Sequence, residues 1–291
     1  MKVVRQSPCK INLLLNVIRK REDGFHELET VMHPVALYDD LEFTETPGGI
    51  LINCDHPELK PDESNLIYRA AKSFIEEAKV ATGVFIRHEK RIPMGGGLAG
   101  GSSNAAHTLL GLNELFGNPL THEQLHTIAA SHGSDINFFL QDEPALCTGR
   151  GENISPTGPL PALAGRGLII INPGFGISTP WTFKALAGFP DAITGDTDRG
   201  HALIEHLQKP ALAPDPRLLF NALEAPVMPK YPLLKLYQDF LRANGAILAM
   251  MSGSGSTTYA ITESKAAADE ILNRFRLRFG THVWSHALPL A

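Results

Sequence analysis

The stretch PMGGGLAGG, residues 93–101, puts five glycines into the seven positions 95–101, directly ahead of a segment with helical spacing. Glycine lets backbone adopt positive φ and approach a ligand closely. A helix start offers N–H groups with no intrahelical partner, and the helix dipole favours negative charge there. A strand, a glycine-rich loop and a helix N-terminus in succession therefore make a site for phosphate. Here the strand is VFIRHEKRI, 84–92, ended by Pro93. The helix shows Ala105, Leu109, Leu112 and Phe116 on one face before Gly117 and Pro119 stop it. Ser102 and Ser103 add hydroxyls for a phosphate or for a metal riding on it.

Two familiar phosphate loops do not fit. A Walker loop needs Lys after its last glycine, where Ser102 stands. A dinucleotide fingerprint needs an N-terminal βαβ unit and an acidic residue about 20 positions on, a place that His122 and Glu123 do not fill convincingly. The expected ligand is a nucleoside triphosphate held in another manner.

Around the loop the chain reads as α+β. Strands are expected at 10–17 and 35–43, separated by the charged segment IRKREDGFHELETVMHP. Helices are expected from an N-cap at Ser64 through Ala78, and from Thr121, at capping-box spacing to Gln124, to Gly133. The aperiodic stretch 149–167, rich in Gly and Pro, reads as a connection between two lobes, 1–155 and 156–291. The second lobe opens on GLIIINP, and a helix near 232–244, the strands AILAMM and TYAI, a helix near 264–275 and a closing strand at HVWSHAL suggest an antiparallel sandwich.

Charge and cysteines narrow the class. A net charge of −5 without a dense Lys/Arg run argues against nucleic acid or an anionic membrane as partner and leaves a small molecule. The three scattered cysteines have no disulfide or zinc spacing, and no run of about 18 apolar residues occurs, so a soluble cytoplasmic protein is expected. Oligomeric state is not legible.

Two further residues complete a chemistry. Asp135, in SHGSDINFF, follows a helix end, and Lys10, in SPCKINLLL, precedes a strongly apolar strand. Read alone, the first is a turn carboxylate and the second a solvated edge lysine. With the loop they supply what phosphoryl transfer to an alcohol requires: backbone donors for phosphates, a carboxylate near the hydroxyl proton, and a cation for developing charge.

PMGGGLAGGSSNAA resembles the central phosphate motif of the GHMP kinases, named for galactokinase, homoserine kinase, mevalonate kinase and phosphomevalonate kinase. SPCKINLLLNV resembles their N-terminal motif and MSGSGSTTYAI, 251–261, their C-terminal glycine motif. REDGFHELETV, DESNLIYRAA, GSDINFF and STPWTF resemble a branch of that family whose acceptor is a diphosphocytidyl methylerythritol.

The resemblance implies a two-lobed α+β kinase. Its N-terminal lobe would be like ribosomal protein S5 domain 2, and its C-terminal lobe a ferredoxin-like sandwich. ATP would be the phosphoryl donor, with Mg²⁺ implied by the chemistry and Ser103 as one candidate ligand. Lys10 and Asp135 would form the catalytic pair. Asn65 and the run Pro93, Met94, Gly95, Gly96, Gly97, Leu98, Ala99, Gly100, Gly101, Ser102 and Ser103 would bind ATP. Asn12, Phe25, His26, Thr179 and Phe183 would bind the acceptor, with Phe25 and Phe183 as plates on either side of cytosine and His26 reading its edge. Phe25, Cys9 and Ala99 stand where the family pattern has Tyr, Ala and Gly. A homoserine or mevalonate kinase would need no cytosine pocket. A non-catalytic nucleic-acid-binding sandwich would need a basic face.

Overall fold

The computed structural model of the chain describes residues 2–210, 215 and 217–290. Its residues divide into two compact units, Met1–Cys9 with Ala36–Ile92 and Ala99–Asp142, and Lys10–Val35 with Pro93–Leu98 and Glu143–Ala291. Two long strands, β1 (Lys2–Lys20) and β2 (His26–Thr46), each contribute to both units. The charged segment expected to separate two short strands instead prolongs both. Arg21 N–H donates to the Phe25 carbonyl (2.8 Å), closing the turn, and Arg21 pairs with Asp23 and Glu27. Arg19, Lys20 and Glu22 are exposed there, so a hairpin reaching beyond the core carries charge without having to bury it.

The first unit continues with β3 (Ile50–Cys54), α1 (Leu66–Ala78), β4 (Gly83–Glu89), α2 (Gly100–Leu115) and α3 (His122–His132). β2 runs antiparallel to β4, with Leu41 opposite His88 and Phe43 opposite Ile86, and β3 lies parallel on the far side of β4. The inward residues Leu41, Phe43, Val84 and Ile86 and the buried faces of α1 (Ile67, Ala70, Ala71, Phe74) and α2 (Ala105, Ala106, Leu109, Leu112) are buried together in its core. Gly111 has no room for a side chain, because the Phe43 ring fills the place of its Cβ. The capping box at Thr121 and Gln124 forms as expected. The α1 cap does not fall on Ser64. Asn65 accepts from Ile67 N–H (3.0 Å), while Ser64 bonds to Asp62.

The second unit holds the first part of β2, with Leu28–Met32 pairing against β5 (Ala145–Gly149), which forms a hairpin with β6 (Asn153–Pro156). Much of the expected connection at 149–167 is therefore ordered, and residue 155 lies inside β6. The chain goes on through β7 (Gly167–Asn172), α4 (Thr179–Ala185), α5 (Arg199–Leu207), α6 (Glu224–Lys230), α7 (Pro232–Ala243), β8 (Leu248–Met251), β9 (Thr258–Thr262), α8 (Lys265–Phe279) and β10 (Trp284–Pro289). The sheet order β10-β7-β9-β8, antiparallel throughout, with α7 and α8 packed on it, is the ferredoxin-like βαββαβ arrangement. Ile169, Ile171, Ala249 and Ala260 meet Tyr237 and Leu241 of α7 and Ile271, Leu272 and Phe275 of α8 in one apolar cluster. Among the described residues no helix is long and apolar enough to cross a membrane.

Candidate active site

Within the second unit, residues from three separate stretches converge on Pro93–Leu98. Lys10, almost fully buried, donates from Nζ to Asn12 Oδ1 (2.6 Å) and to the Gly97 carbonyl (3.0 Å). Ser252 Oγ donates to the same carbonyl (3.0 Å). Main-chain bonds fix the loop independently of those side chains: Lys10 N–H to the Leu98 carbonyl (3.1 Å) and Thr257 N–H to the Gly96 carbonyl (3.0 Å). Asn12 is held by Nδ2 donating to Thr30 Oγ1 (2.9 Å) and by the Tyr259 hydroxyl donating to its carbonyl (2.8 Å). The Tyr259 hydroxyl is pushed well above its usual pKa by complete burial and then by Glu224, so it stays protonated to donate.

Glycine is required here by close approach. A Cβ on Gly97 would collide with the Ser252 carbonyl oxygen, and one on Gly96 would lie 2.5 Å from Asn172 Nδ2 and 2.8 Å from Thr257 Oγ1. Gly97 also has φ +81°. Gly97→Ala should therefore lose about 3 kcal/mol or more in denaturant unfolding, combining left-handed strain with overpacking. Gly101, inside α2, has only an ordinary contact with Leu66 at 3.5 Å waiting for a Cβ. Gly101→Ala should stay within about 1 kcal/mol of the wild type.

The C-terminal glycine motif is itself clamped. Asn221 donates to the carbonyls of Met251 (2.9 Å) and Gly253 (2.7 Å), and half-buried Glu224 accepts from Met251 N–H (2.6 Å) and Gln238 (2.8 Å). Burial raises the Glu224 carboxyl against those bonds. Asn172 donates to Thr257 Oγ1 (3.0 Å). Asn172, Asn221, Ser252 and Thr257 were missed as individual residues. Ser252 and Thr257 lay in a motif noted only as a stretch, and the two asparagines stand where no periodicity marks them.

Of the acceptor candidates in the same unit, His26 and Phe183 stack, with ring centroids 5.1 Å apart at 27°. The imidazole lies on a face of Phe183. The exposed Phe25 has the Arg150 guanidinium 4.9 Å over its ring. Burial, and then the charge of Lys20, lowers the His26 pKa. A neutral imidazole offers one donor and one acceptor. The Thr179 and Ser254 hydroxyls share a hydrogen bond of 2.7 Å, tying the start of α4 to the C-terminal glycine motif.

In the first unit, α2 begins at Gly100, inside the glycine run and earlier than the apolar spacing suggests. Ala99 occupies the N-cap in left-handed conformation (φ 55°) with no side-chain cap bond, so the first turn keeps amide donors for an anion. Ser103 is fully buried, and its hydroxyl accepts from Ser7 Oγ (2.7 Å). Asn65 spends its side chain on the α1 cap and on the Lys60 carbonyl (3.2 Å). Asp135, half-buried, sits in the turn between α3 and a 3₁₀ segment at Asn137–Leu140. No group of three or more His, Cys, Asp or Glu suited to a metal occurs among the described residues.

A glycine loop ahead of an uncapped helix, with a βαββαβ unit, defines the class: residues 65–143 match the GHMP kinases N terminal domain and 204–281 the GHMP kinases C terminal domain. Acaryochloris marina has a relative named 4-diphosphocytidyl-2-C-methyl-D-erythritol kinase, 38% identical over 278 residues, covering 91% of this chain and 88% of its own. A solved 4-(cytidine 5'-diphospho)-2C-methyl-D-erythritol kinase superposes with a TM-score of 0.81 at 33% identity, covering 98% of this chain and 99% of the other. The chain belongs to the 4-diphosphocytidyl-2-C-methyl-D-erythritol kinase family of GHMP kinases. A homoserine kinase from Cytophaga hutchinsonii, at 18% identity and a TM-score of 0.75 over 99% of this chain and 93% of its own, shares the fold alone.

Proposed function

We propose that the chain transfers the γ-phosphoryl group of ATP to the 2-hydroxyl of 4-diphosphocytidyl-2-C-methyl-D-erythritol, giving the 2-phosphate and ADP. The observation that carries this reading is the similarity, over nearly the full length, to relatives bearing that name. In the reaction the acceptor oxygen bonds to the γ-phosphorus, the bond from that phosphorus to the β,γ-bridging oxygen breaks, and the hydroxyl proton passes to Asp135. Lys10 supplies positive charge where negative charge grows. Gly95–Gly101 and the first turn of α2 present main-chain donors to the phosphates. Asn12, Phe25, His26, Thr179 and Phe183 hold the acceptor, its cytosine stacking on the aromatic rings.

Mg²⁺ belongs to this reading as the counter-ion that ATP brings, held chiefly by the phosphates and water, as is usual for this cation. Among the described residues no group of three or more His, Cys, Asp or Glu builds a cage for it. Ser103, the one candidate ligand, already accepts from Ser7.

The test is ADP release with Mg-ATP and, separately, the cytidyl acceptor, mevalonate and homoserine. The cytidyl compound alone should respond, and Phe183→Ala should weaken it by about 1–3 kcal/mol, roughly 5–150-fold in KM, with KM for ATP nearly unchanged. Turnover of either small acceptor with no response to the cytidyl compound would remove the proposal and leave the family assignment.

A further inference from the structure

The core face of β2 in the first unit carries a carboxylate. Asp39 shares inward parity with Leu41 and Phe43, and all three are fully buried. A carboxylate in that position is costly unless every lone pair has work. Its two oxygens divide that work. Oδ1 accepts from the main-chain N–H groups of Arg91 (2.7 Å) and Ile92 (2.8 Å), the last two residues before the glycine loop. Oδ2 accepts from Asn104 Nδ2 (2.9 Å), in the second turn of α2, and pairs with Lys90, whose side chain is also buried.

All four donors flank the loop, three upstream and one downstream. The clamp continues toward the helix start, since Asn104 Nδ2 also donates to Ser7 Oγ (3.0 Å), which in turn donates to Ser103 Oγ (2.7 Å). Gly100, the first residue of α2, seats directly on the same group. A Cβ there would come within 2.9 Å of Ile92 Cγ2 and 3.0 Å of Lys90 Nζ. One carboxylate thus sets both where the loop leaves its strand and where its helix begins.

We propose that Asp39 is a positioning residue for phosphoryl-donor binding: by tying Arg91 and Ile92 to Asn104, it fixes the two ends of the glycine loop at the spacing that triphosphate recognition needs. The inference rests on that loop being the phosphate site. Asp39→Asn keeps an acceptor for the two main-chain donors but turns an amide toward Lys90 and Asn104, so the ties to Arg91 and Ile92 survive while those to Lys90 and Asn104 are lost. Asn104→Leu removes the downstream tie, together with the Asn104 bond to Ser7, leaves Lys90, Arg91 and Ile92 on Asp39, and carries the test should the first variant not fold.

The experiment compares each variant, in the full chain and well below its melting temperature, with wild type by calorimetric titration with Mg-ATP and by KM for ATP and for the cytidyl acceptor. Asp39→Asn should weaken ATP about tenfold or more in both measurements, and Asn104→Leu should weaken it by a smaller factor. KM for the acceptor should stay within about twofold, a split that general loosening of the fold does not produce. Folded variants with wild-type ATP affinity, or an equal loss for both substrates, would overturn the proposal. The titration uses no acceptor, so it judges the clamp even if the acceptor has been misassigned.

Discussion

Replacing Lys10 with Met is expected to lower kcat by about 10²–10³-fold, the usual loss for one group aimed at transition-state charge, with KM for either substrate changed only a few-fold. The structure separates this catalytic effect from a folding effect. The loop stays tied without the Lys10 side chain, through Lys10 N–H to Leu98 O, Thr257 N–H to Gly96 O and Ser252 Oγ to Gly97 O. Asn12 keeps its bond to Thr30. A methionine follows the same path as the lysine stem and removes only the charged end. Steady-state kinetics at saturating ATP checks the result, and a raised KM at unchanged kcat would make Lys10 a binding residue instead.

Asp135→Asn is expected to cost about 10²–10⁴-fold in kcat, the range that loss of a general base spans. The turn that presents it is braced by main-chain bonds and by buried neighbours. Ile136 N–H donates to the Gly133 carbonyl (3.3 Å) and Phe139 N–H to that of Ile136 (3.1 Å), while Ile136, Phe138 and Phe139 are buried anchors beyond it. The variant should therefore remain folded by circular dichroism, and single-turnover phosphorylation should be slow. Retention of more than about a tenth of wild-type kcat would remove Asp135 from the role of base.

The glycine loop was legible because its chemistry is local: a strand, positive-φ residues and a helix start follow one another in the chain. The antiparallel sandwich of the second lobe was legible because its strands and helices keep their periods, from the wholly buried β7 to the capped α8, whereas its ferredoxin-like order came from the family resemblance alone. Two kinds of feature escaped. Element ends blurred where propensity and context disagree. Gly100 and Gly101 are poor helix formers, yet they begin α2 because the first packs against Ile92 and Lys90, and charged residues prolong β1 and β2 where no core is needed. Side chains that work through partners far along the chain escaped as well. Asp39 stands in the inward register of VALYDDLEF, but its partners lie more than fifty positions away at 91, 92 and 104. The stacking of His26 on Phe183 is equally non-local, joining two motifs more than 150 positions apart.

The chain passes between the two units five times, after Cys9, Val35, Ile92, Leu98 and Asp142, so no contiguous stretch holds one whole unit without part of the other. A protein of successive domains can fold piece by piece as it leaves the ribosome. This one cannot follow that course. The first unit lacks its last α-helix until synthesis has passed residue 132, and Leu28–Met32, paired with β1 from the start, lacks its second partner until Ala145–Gly149 is made. The early part of β2 must wait, with β1 as its one partner there, for more than a hundred further residues to be made. A single cut in the gene can complete one unit only by leaving parts of the other in the same fragment: residues 1–142 hold all of the first unit, but with Lys10–Val35 and Pro93–Leu98 attached and the rest of the second unit gone.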